Sequence, residues 1–482
     1  MLLTFRIDRE SPVAHYRQLA DQLIGQIQQG YLLAGARLPS TRWLASSLGI
    51  HRKSVVRAYE ELQLQDWVAT RTGRGTFVAE GLPAAQPQPL AESASPAPAL
   101  SFHFPASHHL MASDEDYSLP YHLDDGLPDP RLIPLLELER AQRTALRRGN
   151  RYLRLNYADP QGSLALREAL ADYLASSRGL RVGAAEILIT RGVTQALFLC
   201  LEALLQPGDR VILPELNWPN GDRSFRYHGA DILRARVDER GLDVEHVGEL
   251  LAAHPGVKLI YLTPHHQYPT TVVMPAGRRI QLLELARRHG VFVFEDDYDY
   301  DFHYGGIPIL PLASTDHGGR VGYAGSFTKA ISPAFRLGYF VGDAALVAQM
   351  SRIRRVVDRM GDPLLEMSIL ELLRTDILPR SLRRARLVYQ KRRDHLANLL
   401  SEELPETVRF RVPDGGMAIW AEFDGRIHLP TLRQRARTLG LGLAGGAQYA
   451  SPLNATRLGF ASSTEDELTR AVALLKEAVR TG

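Results

Sequence analysis

The stretch GSFTKAISPAFRLGYFVG, from Gly325, places Lys329 after a β-prone run, with Ser326 three residues before it and Arg336 seven after. A lysine amine condenses with an aldehyde, while a hydroxyl and a guanidinium hold a phosphate. Together the three suit an aldehyde cofactor that bears a phosphate. Taken alone, S-x-x-K fits an ordinary surface lysine equally well. Upstream, VFVFEDDYDYDF ends an apolar run with a carboxylate cluster, and open α/β sheets bind ligands at the C-terminal ends of their strands. Within that cluster Asp296 is placed to keep a pyridine nitrogen protonated and Tyr298 to reach a ring hydroxyl. The competing reading is a Mg²⁺ site, since Asp-rich clusters bind hard cations. TRGVTQALFL sets Gly192, Val193 and Thr194 at a strand-to-helix junction, where free backbone N–H groups and one hydroxyl make a phosphate seat. Trp218 in PELNWPNG is either a ring that stacks on a flat ligand or a core residue. Tyr157 in NYADPQG either binds phosphate or simply packs.

These residues need a scaffold, and the surrounding pattern supplies one. Short apolar runs (EILIT, RVILPE, VKLIYLTP, VFVFEDD, VGYAGSF) alternate with amphipathic stretches such as LALREALADYLASS and RRIQLLELARRHG. That alternation predicts an α/β fold with a mainly parallel sheet covered by helices on both faces. After Asp343 the pattern turns mostly helical, with a late strand at GGMAIWAEF, which suits a smaller α+β lobe.

The first 80 residues read differently. Pro12 to Gln29 has helical spacing through Val13, Tyr16, Leu19, Leu23 and Ile27. LPSTRWLASSLGI then offers Ser40 as a cap and Gly49 as a stop. HRKSVVRAYEELQLQ gives a further helix with Val55, Ala58, Tyr59 and Leu62 facing inward, and WVATRTGRGTFV reads as a hairpin. Two helices joined by a tight turn with a basic hairpin behind them form a winged helix-turn-helix. Between Ala34 and Val78 there are seven Lys or Arg against three acids, although the whole chain carries only +3. A basic module on a near-neutral body points to a polyanion partner. Arg52, Lys53 and Ser54 open the helix that enters a major groove, where arginine reads guanine. Arg42 on the preceding helix, and Arg71, Thr72 and Arg74 on the wing, are suited to phosphates or the minor groove.

GLPAAQPQPLAESASPAPAL, with six Ala and five Pro, separates the two parts and reads as a semi-stiff tether continuing to about residue 115. The expected organisation is therefore a DNA-binding domain over 1–80, a linker over 81–115 and an effector and dimerisation domain over 116–482. The chain has 482 residues and one cysteine, Cys200, which excludes an intramolecular disulfide and a Cys-based zinc cluster; no metal is expected. It shows neither a signal peptide nor an apolar stretch long enough for a membrane span, so the cytoplasm is the expected compartment.

On the L-P-S-T-R turn, the helix ending at Gly49 and the T-G-R-G-T-F-V wing, residues 11 to 79 resemble the GntR group of winged-helix transcription factors. That resemblance implies operator contacts by Arg42, Arg52, Ser54 and the wing. From about residue 120 onward, the order of motifs resembles the fold-type I, aspartate-aminotransferase-like enzymes that use pyridoxal 5'-phosphate. The resemblance implies that Lys329 is the Schiff-base lysine, Asp296 the pyridine-nitrogen partner and Tyr298 the phenol at the ring oxygen. It makes Ser326, Arg336, Val193 and Thr194 phosphate ligands, Trp218 the stacking aromatic and Tyr157 the tyrosine reaching the neighbouring subunit's phosphate. Arg457 in ATRLGFAS matches the arginine that binds a substrate carboxylate. Two departures weaken the case for efficient transamination. Tyr268-Pro269-Thr270-Thr271 replaces the usual N-P-x-G turn, and Val193 stands where Ser or Thr is frequent.

The combination resembles the MocR/GabR family of bacterial regulators. This implies a homodimer, head-to-tail, in which one chain's DNA module lies against the other chain's body. It also implies double-stranded operator DNA and a small amino compound, or the cofactor itself, as ligands. The alternative is an active aminotransferase with an accessory DNA-binding module.

Overall fold

The computed structural model describes residues 5–80, 118–124, 126–147, 150, 155–306, 308–315, 317–444, 449 and 453–480. The chain forms two compact units, Met1–Pro105 and Ala106–Gly482. The Pro- and Ala-rich segment expected as a tether lies outside the described residues. Among the described residues no helix is long and apolar enough to cross a membrane.

The first unit contains α1 (His15–Gln28), α2 (Thr41–Leu48), α3 (Arg52–Leu64) and an antiparallel hairpin of β1 (Val68–Arg71) and β2 (Gly75–Val78). Ser40 caps α2 by accepting a hydrogen bond from the Trp43 N–H, and Gly49 ends the helix in the left-handed region at φ 61°, a conformation glycine adopts without a Cβ penalty. The His51 ring caps α3, its Nδ1 accepting from the Lys53 N–H at 3.1 Å. Leu19, Leu23, Leu44, Val55, Ala58 and Leu62 pack with Val68 and Val78 of the hairpin into one core. Val13, expected to face that core, precedes the first turn of α1 and so falls outside its apolar stripe; it is 41% exposed.

The second unit is built on seven strands: β3 (Ile187–Thr190), β4 (Arg210–Pro214), β5 (Asp231–Ala235), β6 (Leu259–Leu262), β7 (Phe292–Asp297), β8 (Val321–Ser326) and β9 (Gly338–Val341). Their order across the sheet is β3-β9-β8-β7-β6-β4-β5. Only β9 runs antiparallel to its neighbours. The five apolar runs read from the sequence are β3, β4, β6, β7 and β8. Strands β5 and β9 were not anticipated: DILRA lies at the sheet edge with one fully buried residue, and GYFV is four residues long between glycines. Strands β3, β6 and β9 are buried along their whole length, so they carry continuous apolar runs rather than alternation. A three-stranded antiparallel sheet of β10 (Val408–Phe410), β11 (Ala418–Phe423) and β12 (Ala455–Gly459) forms the smaller lobe with the helices Ile377–Glu403 and Glu465–Arg480.

Candidate functional site

Three loops meet at the C-terminal edge of the large sheet. The helix Gly192–Leu204 begins directly after β3, presenting the N–H groups of its first turn. Gly338 at the start of β9 lies against that turn: a Cβ on Gly338 would come within 2.8 Å of the Gly192 Cα and of the Gly325 carbonyl oxygen. Only a glycine lets the reversed strand come so close to the helix start. Gly192 itself sits at φ 74°, which a side-chain-bearing residue rarely adopts.

A cavity of about 190 Å³ opens between these loops. Its walls bring together Val193, Thr194, Trp218, Asp296, Tyr298, Ser326, Lys329, Arg336 and Arg457, nine residues drawn from five separate stretches of sequence. Thr263, Tyr268 and Thr328 also line it. Tyr268 opens the segment that replaces the N-P-x-G turn, while Thr263 sits earlier in the same loop after β6, where no spacing pattern marks a binding residue. Thr328, by contrast, stands next to Lys329 in the motif itself.

Lys329 reaches across the cavity, its Nζ donating to the Gly126 carbonyl at 2.8 Å. Arg336 occupies the left-handed region at φ 45°, and its Nη2 donates to the Arg191 carbonyl at 3.1 Å, which places the guanidinium beside the start of the Gly192 helix. The Ser326 hydroxyl accepts from the Thr328 N–H at 3.0 Å, tightening the turn that carries Lys329. Arg457, on β12, is buried; its Nη1 donates to the Pro269 carbonyl at 3.2 Å, and its guanidinium lies 4.9 Å from the Tyr268 ring centre.

The four aspartates of the EDDYDYD cluster divide by role. Asp296 is fully buried, and Oδ2 accepts from the Tyr261 hydroxyl at 2.6 Å. Burial, aided by the charges of Asp297 and Asp299, pushes its carboxyl up to about 7, against the Tyr261 hydrogen bond. Asp297 accepts from Tyr323 at 2.7 Å, Asp299 pairs with His266 at 2.7 Å, and Asp301 pairs with Arg178 at 2.8 Å. Glu295 accepts from the Leu312 and Ala313 N–H groups. Each carboxylate beyond Asp296 thus has at least one oxygen engaged in packing, although Asp297 Oδ1 and Asp299 Oδ2 are buried without a hydrogen-bond partner, and among the described residues no three of them lie close enough to share an ion.

The residues present fit a phosphorylated pyridine aldehyde. Asp296 Oδ1 is buried with no hydrogen-bond partner, and so is the Thr328 hydroxyl. A protonated ring nitrogen is the kind of group a buried, unpartnered carboxylate oxygen lacks. Arg336, the Ser326 and Thr328 hydroxyls and the N–H groups of Val193 and Thr194 supply what a phosphate needs.

Tyr157 does not line the cavity. It is 69% exposed, with Arg359 stacked 4.0 Å from its ring centre.

In the first unit, Arg52, Lys53 and Ser54 occupy the first turn of α3, and Arg42 the first turn of α2. The Arg52 Nε donates to the Thr41 hydroxyl at 3.5 Å, a long bond that leaves the guanidinium end unengaged by that contact. Thr72 and Arg74 lie exposed in the turn between β1 and β2. Arg71 pairs instead with Glu80 at 3.1 Å.

The family model "Aminotransferase class I and II" matches residues 134–475, and "Bacterial regulatory proteins, gntR family" matches residues 15–78. The chain is 26% identical over 477 residues to the probable rhizopine catabolism regulatory protein MocR of Rhizobium meliloti, covering 98% of this chain and 95% of that one. It is 29% identical over 465 residues to the HTH-type transcriptional regulator TauR of Rhodobacter capsulatus, covering 94% of each. Among solved structures it resembles the Pyrococcus horikoshii kynurenine aminotransferase, in complex with PMP, with a TM-score of 0.70 and 29% identity over 75% of this chain and 91% of that one. The reversed strand, the helix start it presses on and the small lobe are thus an aminotransferase fold, preceded by a winged helix. The chain belongs to the aminotransferase class I and II family and carries a gntR-family regulatory domain ahead of it, the domain combination of MocR-type regulators.

Proposed function

We propose that this protein is a cytoplasmic transcriptional regulator that binds operator DNA through its winged helix and responds to a ligand through pyridoxal 5'-phosphate held at Lys329. The observation that carries the reading is the cavity in which Lys329, Asp296 and Arg336 converge, in a chain that also bears a gntR-type module. When bound, the cofactor supplies an electrophilic carbon that exchanges one primary amine for another.

The chain's own residues do the rest. Lys329 would supply the amine that tethers the cofactor. Asp296 holds a proton on the ring nitrogen, with Tyr261 fixing the carboxylate's other oxygen. Tyr298, whose hydroxyl donates to the His266 carbonyl at 3.2 Å, would serve the ring oxygen, and Trp218 would cover the ring face. Arg336, Ser326, Thr194 and the Val193 N–H anchor the phosphate, joined by Tyr157 of a second chain in a head-to-tail dimer. Arg457 takes a carboxylate of the effector. Arg42, Arg52, Lys53, Ser54, Thr72 and Arg74 contact DNA. An effector that binds the two arrangements of a dimer unequally would shift the balance between them, and a few kcal/mol of differential binding is enough.

The test is an operator titration with full-length protein, alone, with pyridoxal 5'-phosphate, and with the cofactor plus a panel of amino acids and amines. Regulation predicts that one of these additions changes operator affinity. DNA affinity indifferent to all of them, together with sustained keto-acid production, would make the protein an enzyme instead.

A further inference from the structure

We propose that His265, His266 and His303 form a binding site for a divalent transition-metal ion of the zinc type. Each imidazole offers a ring nitrogen, and these atoms lie within 4.8 Å of one another. Among the described residues this is the one group of three or more His, Cys, Asp or Glu side chains arranged closely enough to share an ion. None of the three lines the cavity around Lys329, so the site stands independently of the cofactor reading.

The environment is that of ligands rather than of ordinary core histidines. His265 is 2% exposed and His266 1%. Neither ring nitrogen of His265 has a hydrogen-bond partner, and the same holds for Nε2 of His266 and Nδ1 of His303. Buried polar atoms are normally paired, and a cluster left bare in one place asks for a shared partner. His266 supplies the most specific sign. Its Nδ1 lies 2.7 Å from the Asp299 carboxylate, and both side chains are buried. A carboxylate at one nitrogen fixes the tautomer, leaving the lone pair on Nε2, the arrangement that backs metal-ligating histidines. The His265 ring sits between the others, its centre 4.4 Å from that of His266 and 5.6 Å from that of His303.

An all-imidazole donor set selects zinc, copper, nickel or cobalt over magnesium or calcium. Tetrahedral zinc with bonds of about 2.0–2.1 Å holds its nitrogens roughly 3.4 Å apart, so the rings must close in by about 1.4 Å at most. His303, only half-buried, has room to turn. Three protein nitrogens leave the fourth position to water. Such an ion would pin the loop after β6, which carries His265 and His266, to the turn after β7, which carries His303. His303 in turn pairs with Gly415 of the small lobe.

Full-length protein, freed of metal with a chelator and dialysed, is titrated with zinc chloride against a chromophoric chelator, and separately with cobalt chloride. The site predicts one tightly bound zinc equivalent and visible cobalt bands of a four-coordinate nitrogen site. His303→Gln and His265→Asn should each weaken zinc binding by about tenfold or more, and Asp299→Asn by about 10–100-fold. Zinc should also raise the melting temperature of the unsubstituted protein. An absence of binding at micromolar zinc, a cobalt spectrum no different from the aqua ion, or equal affinity in the folded His303→Gln and His265→Asn variants would overturn the proposal. The cobalt spectrum keeps the test decisive if a variant fails to fold.

Discussion

The hydroxyl of Tyr261 donates a 2.6 Å hydrogen bond to Oδ2 of Asp296, while Oδ1 of the same buried carboxylate has no partner. One oxygen is fixed and the other is unpartnered, in a residue that lines the cavity. That asymmetry leaves one oxygen for a cationic ring atom without letting the carboxyl turn away from it. Tyr261→Phe removes the donor and should weaken pyridoxal 5'-phosphate binding by about tenfold or more, since a hydrogen bond to a charged group contributes about 1.5–3 kcal/mol. Equilibrium dialysis of the cofactor measures it.

Asp296 also predicts a pH signature in the cofactor-free protein. Its carboxyl rises from 3.8 in the unfolded chain to about 7 in the fold. Between those values the native state binds one proton more than the unfolded state, so stability falls as pH rises through the window and levels off above 7, at about 1.4 kcal/mol per pH unit. Asp296→Asn has no charge to bury and lacks that slope. Urea unfolding at several pH values should show the variant gaining on the unsubstituted protein between about pH 4 and pH 7. Parallel stability curves would refute the burial argument.

Gly338 tests the backbone around the start of the Gly192–Leu204 helix, the proposed phosphate seat. A Cβ there meets Gly192 and Gly325 backbone at 2.8 Å, and backbone cannot swing aside as a flexible side chain can. Gly338→Ala should cost about 1–3 kcal/mol through overpacking and should loosen phosphate binding. Thermal unfolding and cofactor affinity, measured together, check both effects.

On DNA, Arg52 and Arg74 should differ in kind. Arg52 stands in the first turn of α3, the position from which a recognition helix reads bases; on the proposed reading, Arg52→Ala should cost about 1–3 kcal/mol and relax preference at one position. Arg74, at the tip of the wing, should act through phosphate. Arg74→Ala should weaken all sequences alike and reduce the salt dependence. Gel-shift titrations against a set of single-base operator variants separate the two.

The sequence made the scaffold and much of the cavity readable because both are carried by local signals. Of the five apolar runs, β4, β6, β7 and β8 are interior strands and β3, at the sheet edge, is still buried along its whole length; such burial demands unbroken hydrophobicity, and Ser40 and Gly49 mark helix ends by their own backbone chemistry. The cavity's contributors from the loop after β6 were less visible. Thr263 and Tyr268 line it only because the chain folds back there, with the Tyr268 N–H donating to the Thr263 hydroxyl at 2.8 Å. The same loop hides the histidine cluster: His265 and His266 are adjacent, but His303 lies 37 residues further on, and nothing in the spacing announces that sheet order brings them together. Which carboxylates are committed to Tyr323, His266 and Arg178 was likewise set by tertiary packing. Strand β5 escaped notice because a polar, half-exposed edge lacks the run that marks an interior strand.

Visible absorption on purified full-length protein, before and after equimolar pyridoxal 5'-phosphate and gel filtration, tests the central claim most directly. The account predicts a yellow protein whose colour stays with the protein fraction and is lost in Lys329→Ala. A colourless protein after cofactor addition, or a Lys329→Ala spectrum identical to that of the unsubstituted chain, would contradict it.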